Sequence, residues 1–73
     1  MAQENVDFPI PGKVLSVNVS QGSEIKEGDV ICMLESMKME NPILAPCSGT
    51  VTKMELSSGK VVEAGALVCI IEY

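Results

Sequence analysis

The chain has 73 residues, 47% of them hydrophobic, and its formal net charge is −5. A domain of this size buries only about 60% of the surface that its unfolded chain exposes, which leaves little room for an enclosed active site and favours a carrier or binding module over a complete enzyme. The acidic balance, the absence of arginine and the presence of only one Tyr and one Phe argue against nucleic-acid binding, which uses basic patches and aromatic stacking platforms.

The first predicted strand covers residues 13–19, where apolar and polar side chains alternate. Leu15, Val17 and Val19 form the apolar set, so we expect this set to face the core. Residues 50–56 show the same alternation in the second half of the chain. Such β-branched, aliphatic sequences favour strands over helices.

Glycine-containing turns follow each of these strands, because glycine accepts a positive φ without steric cost. The predicted turns are residues 20–22, 27–29, 57–59 and 64–66. After the second turn of each half comes a continuous apolar run, which predicts buried strands at residues 30–35 and 67–72. Strands separated by turns at intervals of roughly 8–12 residues favour an all-β sandwich or flattened barrel.

The two halves of the chain repeat each other at a gapless shift of 37 residues. The identical pairs include Pro9 and Pro46, Gly12 and Gly49, Val14 and Val51, Gly22 and Gly59, Gly28 and Gly65, and Cys32 and Cys69. Two copies are too few for a solenoid. We therefore predict a single domain, residues 1–73, with pseudo-two-fold symmetry and half-repeats at about residues 9–36 and 46–73.

The junction between the halves, residues 35–41, has to turn, and we predict its tip at residues 36–39. It lacks the Asn-Gly or Asp-Gly pair of an ordinary tight hairpin. Two interpretations stay open. In the first, Lys38 is a solvated charge and the methionines beside it pack inward. In the second, Met37 and Met39 share one face of an exposed turn and form an adaptable apolar patch, a common mark of recognition.

The hexapeptide Glu35-Ser36-Met37-Lys38-Met39-Glu40 resembles the biotinylation motif of biotin carrier domains, whose usual form is Ala-Met-Lys-Met, often preceded by Glu. Ser36 stands where the family usually has Ala. Three further segments resemble other landmarks of the family, namely residues 8–14, 27–30 and 45–51. Cys47-Ser48 and Lys60 depart from the usual family pattern.

The resemblance implies a barrel-sandwich hybrid of two four-stranded antiparallel sheets, without the thumb insertion of some acetyl-CoA carboxylase carriers. It implies that a biotin protein ligase attaches biotin covalently to Lys38. The residues that the ligase would recognise are Glu35, Ser36, Met37, Met39 and Glu40. The biotin would accept a carboxyl group at a biotin carboxylase and release it, as carboxybiotin, at a carboxyltransferase or decarboxylase. The chain would then be a non-catalytic carrier subunit or domain, with no catalytic residue of its own.

Three other functions remain as alternatives. A lipoyl carrier shares the fold, but its lysine usually has Asp and Ala beside it. An unmodified interaction domain of the same fold would carry no covalent cofactor. A small enzyme with a reactive cysteine fits least, because the chain has no histidine to activate a thiol.

The cysteines and the apolar runs restrict location and cofactors further. Cys32, Cys47 and Cys69 are odd in number and irregular in spacing, so we expect reduced thiols, no disulfide framework and a cytoplasmic protein. Without histidine or a close cysteine pair, we expect no metal site. No apolar run approaches the ~18 residues of a membrane-spanning helix, so we expect no membrane segment.

Overall fold

This computed structural model describes residues 2–73, which contain eight β-strands. Met1, the first residue of the predicted 1–73 domain, lies outside the described residues. The strands are β1 (Gln3–Asp7), β2 (Gly12–Val17), β3 (Glu24–Ile25), β4 (Val30–Ser36), β5 (Met39–Leu44), β6 (Gly49–Lys53), β7 (Val61–Val62) and β8 (Leu67–Glu72). They form two four-stranded antiparallel sheets, ordered β1-β8-β6-β3 and β5-β4-β2-β7. The predicted fold class is confirmed. Residues 2–73 contain no helix that could cross a membrane.

The two sheets are related by the same shift that relates the two halves of the sequence. Each strand has an equivalent four places along the chain, so that β1 corresponds to β5, β2 to β6, β3 to β7 and β4 to β8. Exchanging every strand for its equivalent turns the order β1-β8-β6-β3 into β5-β4-β2-β7. Backbone hydrogen bonds follow the same rule: the Gly22 N–H donates to the Val51 carbonyl at 2.7 Å, and the Gly59 N–H to the Val14 carbonyl at 2.6 Å. Each sheet contains strands from both halves, so neither half can complete a sheet or bury its core faces alone.

The alternation predicted for the first strand is interrupted by a β-bulge. The register of β2 against β4 shifts between Val14 and Ser16, and this shift reverses which side chains face inward. Val14 is fully buried, whereas Leu15 is only half-buried. The predicted core set was therefore wrong at Leu15, while Val17 and Val19 are partly buried against the core. β6 has the same irregularity at its equivalent position against β8.

The core between the sheets consists of aliphatic side chains, two cysteines and one aromatic ring. Its fully buried members are Phe8, Ile31, Leu34, Ile71, Val14, Val51, Val68, Cys32 and Cys69. Gly12 brings β2 close against β4, because a Cβ atom there would overlap the Glu35 carbonyl oxygen and lie 3.0 Å from Leu34 Cγ. This close approach fixes the end of β4, from which the connection to the second half begins.

Candidate functional site

A tight hairpin connects β4 to β5 and contains every residue of the predicted motif. Ser36 pairs with Met39, so the turn has only two central residues, Met37 and Lys38. Both have a positive φ, 53° at Met37 and 65° at Lys38. Positive φ at both central residues is the signature of a type I′ turn, which matches the twist of the strands that it connects. The structure therefore places the turn at residues 36–39, as predicted.

This backbone conformation is unfavourable for the residues that adopt it. An L-residue with a side chain in the left-handed region loses roughly 1–2 kcal/mol relative to the right-handed region. The four other positive-φ residues of the described chain are glycines, namely Gly22, Gly28, Gly59 and Gly65. Pairing between β4 and β5 extends from Val30 and Leu44 to the turn and holds the hairpin in place. Strain of this kind concentrates at functional sites.

The side chains around Lys38 project into solvent. Met37 is 92% exposed and Met39 is 65% exposed, and the lysine itself is exposed. The interpretation in which the methionines pack inward is therefore wrong. Met37 is a central residue of the turn, whereas Met39 is the first residue of β5. The two nevertheless place exposed apolar surface on either side of Lys38 in the sequence.

A row of charged residues crosses the sheet at the base of the hairpin. Glu35 on β4 pairs directly with Glu40 on β5, and on its other side with Lys13 on β2. All three are exposed, and directly paired residues share a sheet face. Like charges opposite each other are destabilising, whereas Lys13 offsets part of that repulsion. The row therefore presents two carboxylates and one amine beside the turn.

Two neighbours of the turn were not predicted from the sequence. Lys13 joins the charged row only through strand pairing, and no local pattern marks it. Asn41 donates a side-chain hydrogen bond to the Met39 carbonyl at 3.4 Å, at the start of β5. Its position shortly after the turn was the available signal, because asparagine often bonds to backbone two residues away. Ser36, which stands where the family usually has Ala, is half-buried and begins the turn opposite Met39.

The two buried cysteines, Cys32 and Cys69, belong to the core. Burial, with a smaller contribution from the Cys69 thiol, raises the pKa of Cys32 to about 11. Burial, followed by the Cys47 thiol, also raises the pKa of Cys69. Both thiols are therefore protonated at neutral pH and pack as small apolar groups. All three cysteines are free, and the described residues hold no cluster of side chains suited to a metal ion.

The hairpin fits an acylated lysine as the attachment point of a cofactor. The Lys38 side chain is exposed at a two-residue turn, so an enzyme can reach its amine without opening the fold. The described residues have no buried polar side-chain atom that lacks a hydrogen-bond partner. These features suit a group mounted outside the domain.

Comparisons with known proteins agree with this geometry. Over 43 residues the chain is 54% identical to the methylmalonyl-CoA decarboxylase subunit gamma of Veillonella parvula, which is 59% of this chain and 33% of that subunit. Over 46 residues it is 52% identical to a biotinylated protein TB7.3 homolog of Mycobacterium leprae, covering 63% of this chain and 65% of that protein. The chain thus spans from about a third to about two thirds of these relatives.

A solved structure and a family model cover nearly the whole chain. The crystal structure of Kluyveromyces lactis urea carboxylase matches with a TM-score of 0.88 and 30% identity, over 99% of this chain and 6% of that one. The family model described as biotin-requiring enzyme matches residues 4–71. The chain therefore belongs to the family of biotin-requiring enzymes, and the resemblance drawn from its sequence is confirmed.

Proposed function

We propose that this chain is a biotin carboxyl carrier with biotin attached through an amide bond to Lys38. The observation that carries the proposal is the exposed lysine at a two-residue turn held in positive φ. A turn built only for stability would favour Asn-Gly at these positions. Met-Lys costs conformational energy, and the benefit lies in what these side chains present to other proteins.

The domain's own contribution is to hold the cofactor at a fixed point. Bound biotin supplies a carrier for a carboxyl group between enzyme sites. The rigid β4–β5 pair fixes where the flexible lysine stem starts, and tethering makes each encounter with an active site intramolecular. In this proposal the chain is a non-catalytic carrier, and its partner enzymes supply the catalytic groups.

The exposed residues of the hairpin supply the surface for a biotin protein ligase. Met37 and Met39 offer apolar contacts on either side of the lysine. The opposed carboxylates of Glu35 and Glu40 offer an acidic edge, and the half-buried Ser36 keeps the first position of the turn small. Because adaptable methionine surfaces accommodate a partner's shape, this set selects Lys38 from the other lysines.

The relatives support a decarboxylase or carboxylase as the enzyme served. Matches include subunits named for methylmalonyl-CoA and glutaconyl-CoA decarboxylases and mitochondrial pyruvate carboxylase of Rattus norvegicus. The partners that we propose are a biotin carboxylase and a carboxyltransferase or decarboxylase subunit. The free cysteines support a cytoplasmic location, which fractionation of the source cells tests.

The attachment site is tested by co-expressing the full chain with a biotin ligase. Intact mass and streptavidin capture should show one biotinyl group per chain. Lys38→Arg keeps the charge but removes the acceptor amine, and we expect complete loss of modification. Lys13→Arg is the matched control, because Lys13 is also exposed and lies in the row beside the hairpin. Modification that survives in the Lys38→Arg variant would overturn the assignment.

The same assay separates the alternatives. A lipoyl carrier would accept lipoate from a lipoate ligase and remain unmodified with the biotin ligase. An unmodified interaction domain would accept neither group. Met37→Leu and Met39→Leu should slow biotinylation while leaving the urea midpoint unchanged, because both side chains are exposed. Loss of folding in either variant would instead assign that methionine a structural role.

A further inference from the structure

A second surface feature lies along the flank of the sandwich, between edge strands of the two sheets. β1 and β5 each have a hydrogen-bonded neighbour on one side only, and a groove of about 460 Å³ separates them. Val6 and Ile43 form its apolar floor, both nearly buried. The remaining lining residues are Glu4, Asn5, Asp7, Pro9, Pro42, Leu44 and Pro46.

The groove lies across the pseudo-two-fold axis, but its two walls differ chemically. The shift of 37 residues relates Val6 to Ile43 and Pro9 to Pro46, so the backbone of the two walls is equivalent. The same shift relates Asp7 to Leu44. One wall is therefore acidic, and the other exposes an apolar side chain that is 49% accessible.

We propose that this groove binds an extended segment of a partner enzyme in which basic and apolar side chains alternate. The two charged lining residues, Glu4 and Asp7, are both carboxylates, so a lysine or arginine of the segment complements the β1 wall. An apolar side chain of the segment packs on Leu44 and the β5 wall. The asymmetry of the walls fixes the orientation in which the segment lies. The inference rests on the proposed function for the identity of the partner as an enzyme that the carrier serves.

Side chains, more than strand pairing, provide the recognition on the β5 wall. Pro42 lies within the edge strand β5 and has no N–H to donate. A proline on an edge strand blocks the addition of a further strand there. The exposed Leu44 and the prolines instead form a stiff apolar surface, which loses little conformational entropy when covered.

The position of the groove suits a docking role beside a mobile cofactor. β5 runs from Met39, next to the turn, to Leu44. At about 3.3 Å per residue the five steps place Leu44 roughly 17 Å from the start of the strand. A segment bound there holds the domain by its flank and leaves the hairpin free. Such anchoring raises the local concentration of the lysine arm near an active site.

The test uses the full 73-residue chain, isotope-labelled for NMR, and a synthetic hexapeptide of alternating lysine and leucine as the probe. Amide shifts should change along β1 and β5 during titration. The double variant Glu4→Gln, Asp7→Asn should weaken binding about fivefold in total, or roughly twofold for each exposed ion pair that it removes. Added salt should weaken binding to the unaltered chain, since these charges are exposed. Leu44→Ser should also weaken binding.

Matched controls remove the same charge and a similar apolar surface from the opposite edges of the sheets. Glu24 lies on β3 and Glu63 directly follows β7, so Glu24→Gln, Glu63→Gln should leave the affinity unchanged. Val61→Ser on β7 controls for Leu44→Ser, because Val61 is also an exposed apolar side chain. Equal weakening by the controls, shifts spread over the whole surface, equal binding of a glutamate-leucine hexapeptide, or self-association through the groove would each overturn the proposal.

A second comparison separates this inference from the proposed function. Lys38→Arg removes the acceptor amine but lies outside the groove, so the peptide should bind this variant and the unmodified chain equally. Failure of peptide binding would leave the biotinylation result intact. Failure of biotinylation would leave the groove's affinity intact but remove the reason for naming a carboxyl-transfer enzyme as the partner.

Discussion

The two ends of the pseudo-symmetric molecule have equivalent backbones and different contents. At one end, Ser36 and Met39 pair across the Met37-Lys38 turn. At the equivalent end, Ala2 and Tyr73 exchange two backbone hydrogen bonds of 2.9 Å. The duplicated framework is therefore the same at both ends, but only the connection between the halves presents a lysine. The proposed attachment site lies where the two-fold relation is broken.

Positions that are identical in both halves have structural roles instead. The Gly65 N–H donates to the Phe8 carbonyl at 2.8 Å, and the Gly28 N–H to the Ala45 carbonyl at 2.9 Å. These bonds use the same turns in both halves. Side chains differ at the paired positions Phe8 and Ala45, as they do along the groove. Substitutions at equivalent positions therefore separate what the framework requires from what one end alone requires.

The largest difference between equivalent positions is expected in the core. Phe8 is 1% exposed, and its counterpart Ala45 is also buried. A large ring therefore fills the core at this position in one half, whereas neighbouring side chains fill it in the other. Phe8→Ala should lower the free energy of unfolding by about 3–5 kcal/mol, because it removes a buried ring and leaves a cavity. Ala45→Gly should cost about 1 kcal/mol, because it removes one buried methyl group. Urea denaturation measures both, and similar losses would show that the core collapses around either site.

Adding a methyl group at the equivalent glycines, Gly12 and Gly49, should lower the free energy of unfolding equally in the two halves but should affect biotinylation unequally. A Cβ atom at Gly12 would overlap the Glu35 carbonyl oxygen, and one at Gly49 the Glu72 carbonyl oxygen. We expect Gly12→Ala and Gly49→Ala each to cost roughly 3 kcal/mol through overpacking. Glu35 lies at the base of the hairpin, so Gly12→Ala should also slow biotinylation of the folded protein. Equal slowing by Gly49→Ala would show that the ligase senses stability alone.

The sequence predicted the duplicated all-β framework because the repeat is carried by residues with strong local preferences. Glycines at the turns and continuous apolar runs at β4 and β8 show their roles without knowledge of the tertiary fold. The bulge at Leu15 was not predictable in this way, because it depends on register against another strand. Leu15 therefore follows the alternating pattern in the sequence and departs from it in the sheet.

The position of the candidate turn in the chain was predictable, but its backbone geometry was predictable only in part. The missing turn glycine and the Met-Lys-Met sequence marked the tip at residues 36–39. Neither Met37 nor Lys38 signals a positive φ by residue type, so the strain became visible only in the structure. The pairing of Lys13 with Glu35 likewise depends on contacts between distant parts of the chain.

Alkaline pH should destabilise the fold through the equivalent core thiols. The pKa of Cys32 rises from 9.0 to about 11 in the folded chain, so the folded state holds its proton more tightly than the unfolded state. The resulting stability is present below pH 9 and is lost as pH rises through the folded pKa. The loss approaches about 2 kcal/mol by pH 11, at 1.36 kcal/mol per pKa unit.

Cys32→Ala isolates this contribution, because every other ionisable group is the same in the two proteins. Urea midpoints at pH 7, 9, 10 and 11 should fall less steeply for the variant than for the parent chain. Cys69→Ala should reduce the slope in the same direction, since burial also raises the pKa of that thiol. An unchanged slope in both variants would assign the alkaline loss to other groups.

The smallest expected effect tests whether the strained turn is kept for presentation. Replacing Met37-Lys38 with Asn-Gly supplies residues that favour positive φ at both positions. We expect the free energy of unfolding to rise by about 1 kcal/mol, with complete loss of biotinylation. The single variant Met37→Asn retains the lysine and relieves only part of the strain, so it should gain less stability and keep the acceptor amine.

The glycine turns provide a control, because their glycines also have a positive φ, although a larger one than Met37 and Lys38. Gly59 has a φ of 91°, and a Cβ atom there would meet nothing within 4 Å. Gly59→Ala therefore adds conformational strain without a clash and should lower stability by about 1 kcal/mol with no change in biotinylation. A gain in stability for the Asn-Gly variant together with a loss for Gly59→Ala would show that the cost of a positive φ itself determines the stability of these turns. A loss of stability in the Asn-Gly variant would instead show that Met37 and Lys38 stabilise the hairpin, and the case for a turn strained for display would fail.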